Sequence, residues 1–459
     1  MVAGPKGSGK STFSRLLANT LLTAPKPLTI PSCFWLDLDP GQPEFCHPGQ
    51  VSLSQLREPI LGPPFTHPYA HPAGTFRNIR THTLAAISPK EDPDHFLSCA
   101  FDLLSHYLRQ SREFPGAPLI INCSGWIVGS AFSVLLDLVK RFPLTDFVLM
   151  QPMESEATQQ LRTVLPAKAA FWTMSSRARP PQSRTSAEFR AMQSMSYFHS
   201  VRPADGRPAW DIRPLTHHAP WKVRYDGPNP GIHAISSYHE AIPPAMLSTI
   251  LPGMIVAIVH TTSDAAFLAP GRSNQAMTLP PLNFANATEQ DEDQDNVESR
   301  IHRTAEEALP YLTPAPSSNS ISHPLDPKYS ECLGLALIRG LDTTNRELHL
   351  LTPIPSATIR KLQDQFPDQE GSSTSGSRIV LVRGKFDCPD WAFLEDVHLN
   401  RALERQNGHE ERDGTVLVAG TEGGDGIARP YVALRRPDAG LSGSVWRVRH
   451  LPRKFGGPG

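Results

Sequence analysis

The sequence predicts an α/β protein, a doubly wound parallel sheet followed by a mostly β C-terminal domain. Three observations support this prediction. Apolar strand-like runs alternate with helical patterns over the first 200 residues, as crossover helices between parallel strands require. A glycine-rich loop directly precedes an amphipathic helix, and short β-like runs dominate after residue 230. A chain of 459 residues is long enough for two or three domains.

The elements of the first unit follow in order. The first helix has four apolar residues that are predicted to share one face: Phe13, Leu16, Leu17 and Leu21. A strand (residues 33–39), a helix (96–108), a strand running into a loop (118–126), a helix from residue 132 and a strand (146–151) come next. The continuous apolar character of the last strand indicates burial on both faces.

The character changes after residue 177. A proline-rich turn leads to a predicted helix over residues 186–198, with Ser186 as its N-cap and Glu188 in its first turn. We assign residues 1–200 to the first domain, with an arginine-rich lid at about 175–200, residues 201–232 to a linker, and 233–459 to the β domain. Two stretches poor in apolar residues, about 284–325 and 367–378, are predicted to be disordered inserts.

Composition limits the environment and the partners. The net charge of −1 excludes a uniformly basic protein, so any contact with nucleic acid must come from a local patch. The six cysteines form no CxxC pair, which predicts neither disulfides nor zinc. No run of about 18 apolar residues occurs. We expect a soluble, intracellular protein without a membrane partner.

The motif GPKGSGKST at residues 4–12 satisfies the pattern G-x-x-x-x-G-K-[ST]. Glycines let successive backbone N–H groups face phosphate oxygens, a lysine reaches the β and γ phosphates, and a serine hydroxyl can ligate Mg²⁺. The structural alternative is an ordinary glycine-rich turn. Because an amphipathic helix follows at once, we predict a P-loop NTPase-type domain whose phosphate-binding residues are Gly4, Pro5, Lys6, Gly7, Ser8, Gly9, Lys10, Ser11 and Thr12.

Two carboxylates end the next strand, in LDLDPGQPEF. Asp37 and Asp39 lie on the same side of that strand, and in a P-loop fold the strand runs beside the phosphate loop. One carboxylate can then reach the Mg²⁺ shell while the other accepts a proton from an attacking hydroxyl. The alternative is a solvated aspartate pair at the Pro40–Gly41 turn.

Together, these motifs and three further strings, LGPPFTHP (61–68), INCSGWIVG (121–129) and SMSYFH (194–199), resemble the polynucleotide 5′-hydroxyl kinases of RNA processing. Within that family they look most similar to the fungal nucleolar branch that acts on ribosomal RNA. The resemblance is firm over residues 4–198 and looser for the later strings GLALIRG and LHLLTP.

The resemblance implies transfer of the ATP γ-phosphate to a 5′-hydroxyl of RNA or DNA. It implies that ATP and Mg²⁺ are the cofactors, that Lys10 is catalytic, and that Ser11 and Asp37 hold the metal. Asp39 would activate the 5′-hydroxyl, and Gln42 would position Mg²⁺ or its waters.

The INCSGW string resembles the substrate clasp of this family, and we call residues 121–126 the clasp. Ser124, Gly125 and Trp126 are its candidate substrate-binding residues, while Cys123 stands where the family usually has threonine. Stacking on Trp126 suits an enzyme that accepts any 5′ end. Alternatively, Trp126 is a core residue at a strand end. His67 is a further candidate for the substrate groove, or else a loop residue.

Arg184 and Arg190 match the arginines of the lid that the family closes over ATP, where guanidinium groups stabilise the migrating negative charge. Arg177 and Arg179 either contact the nucleic-acid backbone or are simply solvated.

The resemblance also implies a role in processing an internal transcribed spacer of pre-rRNA, a nuclear and nucleolar location, and an endoribonuclease partner that leaves 5′-hydroxyl ends. A second hypothesis is an ATP-binding assembly subunit with little turnover. A GTPase is disfavoured because no Asn-Lys-x-Asp string occurs. Family members carry a β domain and a full strand before the phosphate loop, so we expect the strand at residues 1–3 to be short and an N-terminal domain to be missing from this chain.

Overall fold

The structure is a computed structural model that describes residues 1–25, 30–68, 75–127, 129–151, 153–175, 184–201, 209–267, 300–313, 324–365 and 377–406. No helix in these ranges is both long enough and apolar enough to cross a membrane.

A seven-stranded sheet forms the first domain. Its strands are β1 (Val2–Ala3), β2 (Cys33–Leu38), β3 (Gln50–Leu56), β4 (Phe76–Thr83), β5 (Leu119–Cys123), β6 (Asp146–Met150) and β7 (Ala170–Met174). They lie in the order β4-β3-β2-β5-β1-β6-β7, with β3 antiparallel to both of its neighbours, β2 and β4, and the other neighbouring strands parallel. The predicted α/β fold class is confirmed.

Helices cover both faces of this sheet. They are α1 (Lys10–Thr23), α2 (Pro93–Glu113), α3 (Ser130–Arg141) and α4 (Ser155–Val164). The main core joins α2 and α3 to one face, whereas Ala18 of α1 packs with Trp35 on the other. Strand alternation explains the division, because Phe34 and Leu36 of β2 point to the first face and Trp35 to the second. The sheet is therefore doubly wound.

One position on α1 was predicted wrongly. Leu16 is 61% exposed, although its sequence spacing suggested that it shares a face with Phe13, Leu17 and Leu21. The buried stripe of α1 is centred on Ser14 and Ala18, and Leu16 lies two residues from each, on the opposite side of the helix.

A second sheet of eight strands forms the C-terminal domain. Its strands are β10 (Trp221–Arg224), β11 (Ala234–Ser237), β12 (Ile255–Thr261), β13 (Ile301–Arg303), β14 (Pro310–Leu312), β15 (Ser330–Asp342), β16 (Glu347–Leu351) and β17 (Arg378–Arg383), in the order β10-β16-β15-β12-β17-β11-β14-β13. Most neighbours are antiparallel. Its helices are α6 (Leu247–Ile250), α7 (Ser356–Gln365) and α8 (Asp390–Gln406).

Two segments differ from the sequence-based boundaries. The predicted linker, 201–232, contributes β10, which pairs with β16 at the edge of the second sheet. The predicted insert at 284–325 contains β13 and β14, which pair with each other and attach to β11. Leu309 is fully buried there, so a few apolar residues suffice once an existing sheet edge supplies partners. The structure does not describe residues 284–299 and 314–323 of this insert, nor residues 367–376 of the second predicted insert.

Helix α5 (Ser186–His199) links the two domains, and the two-stranded ribbon β8 (Ser200–Val201) and β9 (Ala209–Trp210) follows it. Its N-cap is Thr185, not Ser186 as predicted; Thr185 and Glu188 form a reciprocal capping box. The Gln193 amide donates to the carbonyls of Pro43 (3.0 Å) and Cys46 (2.7 Å) in the first domain. The Tyr197 hydroxyl donates to the Leu335 carbonyl of β15 at 3.1 Å.

Candidate phosphate-binding and catalytic site

The glycine-rich loop connects β1 to α1 at the centre of the sheet. Gly7 and Gly9 have φ values of 86° and 97°, a region that favours glycine. A Cβ on Gly4 would lie 2.3 Å from the Met150 carbonyl oxygen, so only glycine fits against β6. β1 has just two residues, as expected, yet it is flanked by β5 and β6 on its two sides. The loop is thus anchored at the middle of the sheet.

Polar atoms of the loop face inward. Lys10 is the first residue of α1 and is 5% exposed, and its Nζ donates to the Pro5 carbonyl at 3.0 Å across the loop. The Ser8 hydroxyl oxygen is buried and has no hydrogen-bond partner among the described residues. Backbone N–H groups at a helix N-terminus, a buried ammonium group and an unpaired hydroxyl together make an anion-binding cradle.

Asp37 lies at the end of β2, fully buried, and its carboxylate accepts four hydrogen bonds. The donors are Glu44 N (2.6 Å), Asn122 Nδ2 (3.1 Å), Asp39 N (3.2 Å) and Trp35 Nε1 (3.2 Å). Burial nevertheless raises the pKa of Asp37 to about 7, and these hydrogen bonds only partly oppose it. A positive charge placed beside this carboxylate would therefore be strongly favoured.

Asp39 follows the end of β2 and has a different environment. Its carboxylate accepts from Gly41 N at 3.1 Å and lies near the Lys10 ammonium group. Burial raises the pKa of Asp39 above its usual value, and the charge of Lys10 partly offsets this. A carboxylate with a raised pKa next to a phosphate-binding lysine is suited to accept a proton.

Asn122 on β5 connects the phosphate loop to Asp37, and sequence reasoning missed it as a site residue. Asn122 is paired in register with Asp37, and its Nδ2 approaches both the Asp37 carboxylate and the Ser11 hydroxyl, the latter at 3.5 Å. Its Oδ1 is buried without a hydrogen-bond partner in the described part of the chain. The sequence could have indicated Asn122 as a site residue, because Asn122 belongs to the INCSGW string.

The oxygen-rich set around Asn122 fits Mg²⁺, which prefers hard oxygen ligands and keeps several waters. Ser11 supplies a hydroxyl, and Asp37 and Asp39 supply carboxylates. Four hydrogen bonds already engage the Asp37 carboxylate, and its role as a metal ligand stays a prediction of the resemblance.

The clasp packs directly on the phosphate loop. A Cβ on Gly125 would lie 2.8 Å from Lys6 Cα and 2.9 Å from Lys6 N. The Ser124 hydroxyl accepts from Trp126 N at 3.3 Å. Trp126 is half-buried against the main core and borders a small cleft with Leu38 and Ser124. This position agrees with either a clasp or a core role for Trp126.

The loop after Asp39 joins the remaining substrate candidates. Gln42 is exposed, and its N–H donates to the Asp39 carbonyl at 3.3 Å. Glu44 has a side chain that is 2% exposed, and its carboxylate lies 2.9 Å from Arg15 of α1 and 3.3 Å from His67 Nε2. The His67 ring therefore lies beside a buried carboxylate at the edge of the site.

The two lid arginines differ in their surroundings. Arg184 is exposed just before α5. Arg190 on α5 pairs with Asp387 of the C-terminal domain, with Nε to Oδ2 at 2.5 Å. Arg177 and Arg179 lie outside the described residues.

The parallel sheet, the central glycine-rich loop and the buried lysine define a P-loop nucleotide-binding fold. Residues 4–200 match a family model described as "mRNA cleavage and polyadenylation factor CLP1 P-loop". The chain is 41% identical over 431 residues to polynucleotide 5′-hydroxyl-kinase grc3 of Aspergillus niger, an alignment covering 89% of this chain and 50% of that protein. It is 34% identical over 480 residues to the protein of the same name in Gibberella zeae, covering 99% of this chain and 60% of the relative. The predicted resemblance to the polynucleotide 5′-hydroxyl kinases is confirmed.

The chain spans about half the length of the curated relatives it matches, 50–60% in these two alignments. Among solved structures, a Clp1p–Pcf11p complex aligns with a TM-score of 0.48 and 15% identity, covering 83% of this chain and 74% of the other.

Proposed function

We propose that the chain is an ATP- and Mg²⁺-dependent polynucleotide 5′-hydroxyl kinase. One observation carries the proposal: Asn122 ties the Ser11 hydroxyl of the phosphate loop to the buried Asp37 carboxylate, with Asp39 and Lys10 beside them. This arrangement joins a triphosphate cradle, oxygen donors for a metal and a candidate base. The two relatives, both named polynucleotide 5′-hydroxyl kinases, support the same activity.

In the proposed reaction, the substrate 5′-oxygen attacks the γ-phosphorus, the bond from that phosphorus to the β–γ bridging oxygen breaks, and ADP leaves. Asp39 accepts the hydroxyl proton, for which its raised pKa suits it. Lys10 and the loop N–H groups hold the phosphates. Mg²⁺, when bound, neutralises charge on the β and γ oxygens. Ser11 and Asp37 would hold the metal or its waters, which Gln42 would help to position.

The clasp supplies the acceptor side. Stacking of the terminal base on Trp126 would contribute about 1–3 kcal/mol without regard to base identity. Ser124 and Gly125 belong to the clasp itself, and Arg184 and Arg190 would stabilise the transferred phosphoryl group. His67, which packs on Phe45 beside the Glu44 carboxylate, would line the substrate groove. RNA is the proposed substrate, since the resemblance is to kinases of RNA processing.

The cellular setting is part of the proposal and is supported by the resemblance alone. We infer action on pre-rRNA spacer fragments in the nucleolus, beside an endoribonuclease that generates 5′-hydroxyl ends. The kinase would phosphorylate those ends.

The test is transfer of labelled γ-phosphate from ATP to a 5′-hydroxyl RNA oligonucleotide. We expect labelling by the intact chain, loss of labelling with Lys10→Ala, and wild-type labelling with Lys168→Ala, which removes an exposed lysine far along the chain from the loop. ATP binding without any transfer would instead favour the assembly-subunit alternative, which the buried Cys123 in the clasp supports.

A further inference from the structure

Arg190 belongs to the inward face of α5. It precedes Gln193 by three residues and Tyr197 by seven, so the three side chains share one side of the helix. Gln193 binds the Pro43 and Cys46 carbonyls in the loop that begins at Asp39. The Arg190 side chain is only 12% exposed, although arginine is usually among the most exposed residues. The sequence alone suggested a lid arginine, whereas in the structure Arg190 lies one turn of α5 from Gln193, which contacts the loop after Asp39.

The partner of Arg190 is Asp387, which follows β17 in the C-terminal domain. Nε donates to Oδ2 at 2.5 Å and Nη2 to Oδ1 at 3.4 Å, so the carboxylate occupies the Nε side of the guanidinium group. Among the described residues, no acceptor is found for Nη1. A planar guanidinium has five N–H donors in a fixed fork, and a carboxylate on one edge orients the other edge for a second anion.

The segment that carries Asp387 is itself fixed to the first domain. A Cβ on Gly384 would lie 2.3 Å from the Ala85 carbonyl oxygen, and Lys385 Nζ lies 2.6 Å from the Glu91 carboxylate. The Phe386 ring lies against Gly49, where a Cβ would come within 2.6 Å of it. The backbone that carries Asp387 is therefore in close contact with the first domain, and Asp387 reaches α5 from there.

We propose that Asp387 is a positioning residue for phosphate transfer: it orients Arg190 so that the Nη1 edge of the guanidinium meets the phosphates of bound ATP. This inference rests on the proposed function and extends it, because it makes the C-terminal domain a contributor to the kinase site. A carboxylate-to-amide change at Asp387 keeps the size of the side chain but removes the charge that orients the arginine.

The test is a double-mutant cycle of Asp387→Asn and Arg190→Ala, with kcat and the ATP dissociation constant measured for each protein. We expect Asp387→Asn to lower kcat roughly tenfold, the loss typical when an orienting partner of a site residue is removed, and to weaken ATP binding less. In the Arg190→Ala background, Asp387→Asn should have no further effect. The matched control is Asp226→Asn, which makes the same carboxylate-to-amide change at the separate Arg303–Asp226 ion pair of the C-terminal domain and should keep wild-type kcat.

A purely structural tether would give a different pattern. Asp387→Asn would then lower the unfolding temperature but leave kcat unchanged, or the two losses in kcat would multiply, and either result overturns the proposal. If the wild type transfers no phosphate to RNA, the proposed function fails, and the same cycle is read on ATP affinity. Non-additive losses there still support an Asp387–Arg190 unit, whereas wild-type affinity in Asp387→Asn rejects it.

Discussion

The contact between the clasp and the phosphate loop predicts a specific effect of adding one methyl group at Gly125. In Gly125→Ala the new Cβ would lie 2.8 Å from Lys6 Cα and 2.9 Å from Lys6 N. Both are backbone atoms, so no side chain can rotate away to relieve the overlap. Overpacking of this kind typically costs about 1–3 kcal/mol.

The strain must be relieved by moving the clasp or the phosphate loop. If the phosphate loop moves, ATP binding has to return it to its original position, and the cost of doing so reduces the affinity for ATP. A cost of about 1–3 kcal/mol corresponds to a roughly 5- to 150-fold loss of affinity, since 1.4 kcal/mol is about tenfold. Calorimetric titration with ATP and Mg²⁺ measures this loss, and thermal unfolding reports the accompanying destabilisation.

The control for this change is Gly340→Ala, because a Cβ there would have no atom within 4 Å. We expect near wild-type ATP affinity for that variant. If Gly125→Ala bound ATP as tightly as the wild type and unfolded at the same temperature, the close packing of the clasp on the loop would be refuted.

Three further outcomes are expected. Asp39→Asn should lower kcat by about 10²–10⁴-fold while ATP still binds, because it removes the base; unchanged kcat in a rapid-quench assay would exclude that role. Trp126→Ala should weaken RNA binding by about 1–3 kcal/mol for any terminal base, measured by fluorescence anisotropy, whereas loss of stability with unchanged RNA affinity would make Trp126 a core residue. Burial lowers the pKa of His47 from 6.5 to about 3, so below pH 6.5 the unfolded chain takes up a proton that the folded chain does not, and stability falls with falling pH. Between pH 7.5 and 5.5 this proton uptake lowers the free energy of unfolding of the wild type by about 1.4 kcal/mol. In denaturant unfolding, His47→Phe should lose less stability than the wild type over this pH range, by that amount, and an identical loss in both proteins would contradict the assignment.

Local sequence signals predicted the centre of the first domain well. The glycine pattern of the phosphate loop and the apolar run before Asp37 each specify one short element, and the order of strands and helices restricts how they assemble. The loop therefore lies where the motif indicated, with α1 beginning at Lys10.

Features that depend on distant residues could not be predicted in this way. The partner of Arg190 is 197 residues away in the chain, and no periodicity connects the two. β13 and β14 exist because a neighbouring strand supplies hydrogen bonds, which a count of apolar residues does not register. Asn122 lies within a recognised string, but its role emerges only when strand pairing sets it opposite Asp37.

Kinase activity is decided by a single-turnover time course with two RNA oligonucleotides of the same sequence, one ending in a 5′-hydroxyl and the other in a 5′-phosphate. With ATP labelled at the γ position, we expect label to accumulate at the 5′ end of the first RNA and not on the second. Stable ATP binding with no label on the 5′-hydroxyl RNA, or equal labelling of both, would contradict it.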